Sequence, residues 1–158
     1  MKHRQLEILL WSIAFPGFGQ LLNHHFIKGL VFILFEVIIN MNSLFNTAIK
    51  LSFTGEIQEA VEVTNYQWLM FYPCLYVFAI WDAYKNSQIN PPPYAFLPFV
   101  FSAYFITVGL IYSPHFKLFG ILLGPIWLPI LSIIPGIIVG FGIRWIILSV
   151  SEKQSNPS

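Results

Sequence analysis

The chain has 158 residues, of which 56% are hydrophobic, 18% aromatic and only 9% charged. A water-soluble domain carries about 25% charged residues, so this composition excludes a fully water-facing surface and implies a bilayer as solvent. The net charge of +1 supplies no basic field for nucleic acid, and the single cysteine, Cys74, excludes an intrachain disulfide or a cysteine-based metal site.

From the N-terminus, Lys2 and Arg4 precede an apolar run with a loose small-residue triplet at Ser12–Ala14, the outline of a secretory signal. The rest of the chain is equally apolar, so the expectation is an uncleaved first membrane segment. Leu6–Phe15 is ten residues long. A spanning helix needs about 20. Pro16, Gly17 and Gly19 should kink or break any extension of it. The stretch Pro16–Glu36 then carries Gln20, His24, His25, Lys28 and Gly29 into Phe26–Phe45, whose 20 residues are enough to cross. Everything downstream is expected to pack around this hairpin.

Asn46–Tyr66 is the longest polar stretch, with Glu56, Glu59 and Glu62, and its weak amphipathic pattern predicts a short surface helix. Gln67–Tyr84 is a further segment with aromatics at both ends, as suits the two membrane–water interfaces. Pro91–Pro93 place a loop before the segment Tyr94–Tyr112. Leu118–Ile143 has 26 residues without a charge, interrupted by Pro125, Pro129 and Pro135. It is either one kinked span or a re-entrant piece followed by a span. The polar end, residues 152–158, is expected to be a disordered tail behind a single transmembrane domain over residues 1–151. The fold class is therefore all-α: a polytopic helical bundle of four spanning helices plus a kinked or re-entrant N-terminal segment.

Eight Lys and Arg residues set the orientation. If the first segment crosses, they divide equally between the two sides. If it dips in and returns, Lys2, Arg4, Lys28, Lys85, Arg144 and Lys153 share one side and only Lys50 and Lys117 the other. The positive-inside rule favours the second arrangement, with both termini and Lys85–Pro93 cytoplasmic and Asn46–Tyr66 external. Irregular backbone at membrane depth must be covered by protein, so the hairpin belongs inside the bundle.

Glu36 is the most informative residue, since an ionisable group near the midplane is costly and should face the protein interior. Counted by helical turns, His25, Gly29, Glu36, Asn40 and Ser43 share one face of the second segment. Glu36 is then either a functional group (a proton relay, an ion path or a substrate contact) or a protonated carboxyl hydrogen-bonded to a neighbouring helix or to the Gly17–Gly19 backbone. His24 and His25 point about 100° apart on a helix and do not easily share a metal ion. Asp82 and Arg144 fall near the same membrane face, where they either pair or reach separately to water. Gly120-x-x-x-Gly124 and Gly136-x-x-x-Gly140 have the small-residue spacing of close helix packing.

Pro16-Gly17-Phe18-Gly19-Gln20-Leu21-Leu22-Asn23, followed by Lys28-Gly29-Leu30, resembles the hairpin of small bacterial TM2-like membrane proteins. The match covers about a fifth of the chain and departs at Leu22 and His24-His25, where that family has an aromatic and a glycine. The resemblance implies a membrane location and a hairpin shape, without an activity. No catalytic constellation, cofactor motif or metal set is recognisable. The leading functional expectation is a non-enzymatic accessory or scaffold protein of a bacterial plasma membrane, its partners being the lipid bilayer and another membrane protein or itself. The alternative is a proton- or ion-coupled transport component using Glu36.

Overall fold

A computed structural model describes residues 2–155. The chain is mostly helical, at 77%. α1 (Lys2–Ala14) runs to the Pro16-Gly17 break, and α2 (Phe18–Leu22) turns back along it. The reversal passes through Gly17 at φ +103°, a backbone region that L side chains rarely adopt. The Arg4 guanidinium donates to the carbonyl of Leu22 at 3.4 Å, so the end of α2 returns to the start of α1. The predicted hairpin is thus closed by a side-chain contact between its two ends.

α3 (Phe26–Ser43) follows, and Leu44 in the left-handed region separates it from α4 (Phe45–Thr54). α5 (Ile57–Val63) and α6 (Tyr66–Leu69) complete a folded cap over one end of the bundle. This replaces the single surface helix expected for Asn46–Tyr66. Ala48 and Ala60 are wholly buried there, and the Trp127 indole donates to the Ser52 carbonyl at 3.2 Å. The glutamates lie on the outer side of the cap while small alanines face inward, so a hydropathy pattern sees only the polar half.

α7 (Tyr72–Asn86) returns along α3 and α1, and the Pro91–Pro93 loop leads into α8 (Leu97–Tyr112). Cys74 lies exposed on α7. A tight hairpin of two short strands comes next, β1 (Lys117–Leu118) and β2 (Ile121–Leu122), antiparallel, with Leu118 opposite Ile121. Phe119 and Gly120 both have positive φ, the backbone that two-residue hairpin loops require. Leu118–Leu122 is therefore not helical, and Gly120 belongs to a turn with open space around it, not to a packing seam.

α9 (Gly124–Ser155) is one helix that runs on through Pro129 and Pro135. The last residues of the expected tail, 156–158, lie outside the described residues. Two helices, α3 and the Gly124–Ser151 part of α9, are long and apolar enough to cross a membrane. α8 is apolar but has 16 residues, and α7 has 15. Large apolar side chains are exposed along every long helix, among them Ile27 at 83%, Ile138 at 66% and Trp145 at 70%.

α8 and α9 form a helical pair whose backbones nearly touch. A Cβ added at Gly136 would lie 2.7 Å from Ser102 Cα, and one at Gly140 would lie 2.8 Å from the carbonyl of Leu97. Gly109 on α8 admits Ser132 from α9 in the same way. The Gly136-x-x-x-Gly140 spacing is thus used within the chain.

Candidate functional site

The polar residues of the sequence converge on the seam between the hairpin and α7. Pro16 and Gly17 turn the chain, and Gly17 and Gly29 bring α2 and α3 together: a Cβ on Gly17 would lie 2.7 Å from Ile33 Cγ1, and one on Gly29 3.0 Å from the Gly17 carbonyl. Gly19 sits against Ser12 on α1 and Ala83 on α7. The next residue, Gln20, is therefore carried into the seam, where it is completely buried.

Gln20 donates through Nε2 to the Ala79 carbonyl at 2.7 Å and to Asp82 Oδ2 at 3.2 Å. Asn23 donates to the Ala83 carbonyl at 2.8 Å, and Lys28 Nζ lies 2.9 Å from Asp82 Oδ1. Gln5 reaches the Ser87 carbonyl at 3.3 Å. α1, the end of α2, the start of α3 and the end of α7 are in this way tied at one end of the bundle. Asp82 is the centre of the tie, because it accepts from Lys28 and Gln20 while 9% exposed. A buried carboxylate that has both a cation and a donor amide is a stable arrangement, and loss of either partner would leave it poorly satisfied.

Arg144 is not Asp82's partner. Its Nε donates to the Pro93 carbonyl at 3.0 Å, across the loop that leads into α8. Lys28 takes the place because α3 starts beside α7, whereas Arg144 rides on α9, on the far side of α8. Lys28–Asp82 is the one ion pair among the described residues.

Glu36 lies further along the same seam and is 5% exposed. The Tyr72 hydroxyl is set toward its carboxyl, and Tyr76 stands one turn along α7. Tyr76 in turn donates to the Ile13 carbonyl at the end of α1 at 2.5 Å. Glu36 Oε2 is buried without a hydrogen-bond partner among the described residues, and so is Gln20 Oε1. Gly29, Glu36 and Ser43 share the buried face with Ile39, as the helical count requires. Asn40 is only half-buried and exchanges hydrogen bonds with Asn46 across the turn into α4, at 3.1 Å and 3.4 Å.

His25 departs from the expected stripe. It occupies the position before α3 and is exposed, because the helix that would have set its direction begins after it. His24 is also exposed, at φ +62°, with its Nε2 3.4 Å from Arg4 Nη2. Among the described residues, no group of three His, Cys, Asp or Glu side chains is placed to hold a metal ion. Tyr72 and Tyr76 were not foreseen as polar partners of the seam. Clustered aromatics suggest a membrane interface, and only the placement of α7 against Glu36 reveals the inward side of that cluster.

At the opposite end, Ser113 donates to the Tyr66 hydroxyl at 3.3 Å and the Asn65 amide to the Ser43 carbonyl at 3.1 Å. Burial pushes the Tyr66 hydroxyl above the usual phenol range, against the opposing effect of the Ser113 hydrogen bond. It is accordingly a neutral hydrogen-bonding group. Chemically, the whole seam is an internal lock with two acceptor oxygens to spare, Glu36 Oε2 and Gln20 Oε1. Set against family models, characterised proteins and solved structures, the chain matches none.

Proposed function

We infer that the chain is a multi-pass membrane protein of non-enzymatic accessory or scaffold type, which acts through helix packing with itself or a partner. In this reading α3, α7, α8 and α9 cross the bilayer, α1–α2 enters from the cytoplasmic side and returns, and both ends of the chain are cytoplasmic. The observation that carries it is the use of the polar side chains: Gln20, Asn23, Lys28 and Asp82 spend their hydrogen bonds on each other and on α7 backbone. Such contacts hold helices together, and each of the four side chains is engaged in at least one of them. The outer faces offer apolar side chains to lipid or to a neighbouring helix. The ends of the helices agree with the charge pattern, since Arg4, Lys28 and Arg144 lie at one end of the bundle and Lys50 and Lys117 follow the other. The hairpin's likeness to small bacterial TM2-like proteins fits the same reading.

The second reading, a proton- or ion-coupled transport component, is favoured by the unpartnered Oε2 of Glu36. Purified protein in liposomes with an internal pH dye separates the two. No Glu36-dependent flux under an imposed pH gradient is the expected result; a flux that Glu36→Gln abolishes would establish transport. Topology is checked by thiol labelling at Thr54→Cys and Ser87→Cys in a Cys74→Ala background. Impermeant reagent should modify position 54 and spare position 87 in intact cells, and the reverse pattern would overturn the orientation.

A further inference from the structure

The tight seams leave a gap between them. α8 and α9 are joined closely to each other, and α7 meets α8 where Trp81 and Tyr84 pack on Phe99. But α1 and α9 stand apart on either side of that contact, and between them runs a groove of about 500 Å³. Ile13 and Ile80 wall one side, Phe99 and Ile137 the other, and Phe141 and Arg144 mark one end. It joins a second apolar hollow of about 340 Å³, with which it shares Ile13, Tyr76, Ile106 and Ile133. The groove is open to the outside of the bundle: Ile13 is 47% and Phe141 52% exposed.

Its length fits one leaflet. Ile133 and Arg144 are eleven residues apart on α9, about 16 Å at the helical rise. The hydrocarbon core is about 30 Å thick, so this is half of it. The volume is that of a small-molecule site, about 300–1,000 Å³. At its end stands a guanidinium with no carboxylate partner among the described residues, since Lys28–Asp82 is the only ion pair there. Arg144 commits Nε to the Pro93 carbonyl, which leaves its two terminal nitrogens to donate. That fork matches a phosphate oxygen pair.

The geometry points to a binding site for one anionic phospholipid, its phosphate on Arg144 and an acyl chain lying in the groove past Ile137 toward Ile106. The assignment rests on the membrane reading above. An unpaired cation at the head of an apolar, leaflet-deep channel complements a charged headgroup on a hydrocarbon chain. A partner protein's helix would cover the apolar walls equally well but would have to bring a carboxylate to the arginine, which an anionic lipid supplies in its headgroup.

The test uses the full chain purified in mild detergent and mixed with equal amounts of phosphatidylglycerol and phosphatidylcholine, with retained lipid measured by native mass spectrometry. Both lipids carry the phosphate, but only phosphatidylglycerol keeps a net negative charge, since the choline cation of phosphatidylcholine offsets its own phosphate. The intact protein should therefore retain phosphatidylglycerol in preference by roughly ten-fold. Arg144→Gln should bring the ratio near unity, Arg144→Lys should keep part of it, and Lys117→Gln at the far end should leave it unchanged. Ile137→Trp, which fills the groove, should reduce retention of both lipids, while Ile138→Trp on the outer face should not. Equal retention by the intact protein, or a preference that survives Arg144→Gln, would overturn the site. A photo-crosslinker at position 137 should give a lipid adduct in cells, and a protein adduct there would assign the groove to a partner helix instead. Release of the chain from membranes by alkaline carbonate would sink the membrane reading itself, whereas retention without lipid preference sinks only the lipid site.

Discussion

The seam between the hairpin and α7 and the seam between α8 and α9 join helices in opposite ways. The first is held by directed polar contacts: Gln20, Asn23 and Lys28 each reach α7 through a hydrogen bond. The second has glycine at three successive levels, with Gly140 on Pro98, Gly136 on Ser102 and Gly109 on Ser132. Its serines turn inward on their own helices, Ser102 to the Pro98 carbonyl and Ser132 to the Leu128 carbonyl, both at 2.7 Å. In a bilayer there is no hydrophobic drive between two apolar helices, so close approach and hydrogen bonding are the two means left. The irregular hairpin requires the polar means because its broken backbone cannot approach α7 evenly along its length. Two uninterrupted helices can approach evenly, and small residues suffice.

The comparison predicts that steric insults are worst in the second seam. Gly140→Leu would drive a side chain into the backbone of Leu97 and Pro98, with no flexible side chain to yield. The expected cost is on the order of 3 kcal/mol or more, with loss of folded protein from the membrane fraction. Gly142, two residues on, has nothing within 4 Å of an added Cβ, so Gly142→Leu should be neutral to within about 0.5 kcal/mol. Fluorescence-detected size exclusion after heating reads both. Equal behaviour of the two variants would mean that α8 and α9 are not packed through glycine.

Within the hairpin, Gly17 carries two burdens that can be separated. Gly17→Ala meets the Gly29 carbonyl and Ile33 as well as an unfavourable φ, whereas Gly55→Ala meets only the φ of +89° in open space. The second should cost about 1–2 kcal/mol, the price of the backbone region alone, and the first measurably more. Identical melting shifts would show that α2 and α3 are looser than their spacing implies.

How much of this was legible in the sequence depends on range. The turn at Pro16-Gly17, the apolar run of α3 and the burial of Glu36 follow from neighbours in the chain, and each was readable. The partner of Asp82 was not, because Lys28 and Arg144 are both plausible cations until the order of helices around α7 is known. Leu118–Leu122 looked helical since apolar content alone does not distinguish a strand, and the signal that could have corrected it was Phe119-Gly120 placed for a two-residue turn. The buried alanines of the cap were hidden by polar neighbours, Ala48 by Thr47 and Lys50 and Ala60 by Glu59 and Glu62.

The polar lock itself can be broken selectively. Lys28→Met leaves the Asp82 carboxylate with Gln20 as its remaining side-chain donor. Because Lys28 is half exposed, the loss should be about 1–2 kcal/mol, at the lower end for a hydrogen bond to a charged group. Adding Asp82→Leu should restore much of it, since an apolar pair needs no partner. A double variant less stable than Lys28→Met would show that Asp82 has structural worth beyond the pair, through Gln20.

The smallest effect is expected at Glu36, and it divides the two functional readings. The residue belongs to the polar seam, yet one of its carboxyl oxygens has no partner there. If Glu36 serves packing, Glu36→Gln keeps the side-chain shape and an oxygen for Tyr72, and stability should change by no more than about 0.5 kcal/mol. Glu36→Leu removes that oxygen and strands the Tyr72 hydroxyl, which should cost about 1 kcal/mol, the value of one buried hydrogen bond. Tyr72→Phe in the Glu36→Leu background should recover part of the loss, because the stranded hydroxyl is then gone. A cycle with no coupling between the two positions would mean that Tyr72 does not hold Glu36 and that the carboxyl is kept for another purpose. The liposome flux of Glu36→Gln is decisive whichever way the cycle falls: unchanged stability with abolished flux identifies a carrier, and no flux in either form removes the transport reading and leaves Glu36 a buried carboxyl of α3.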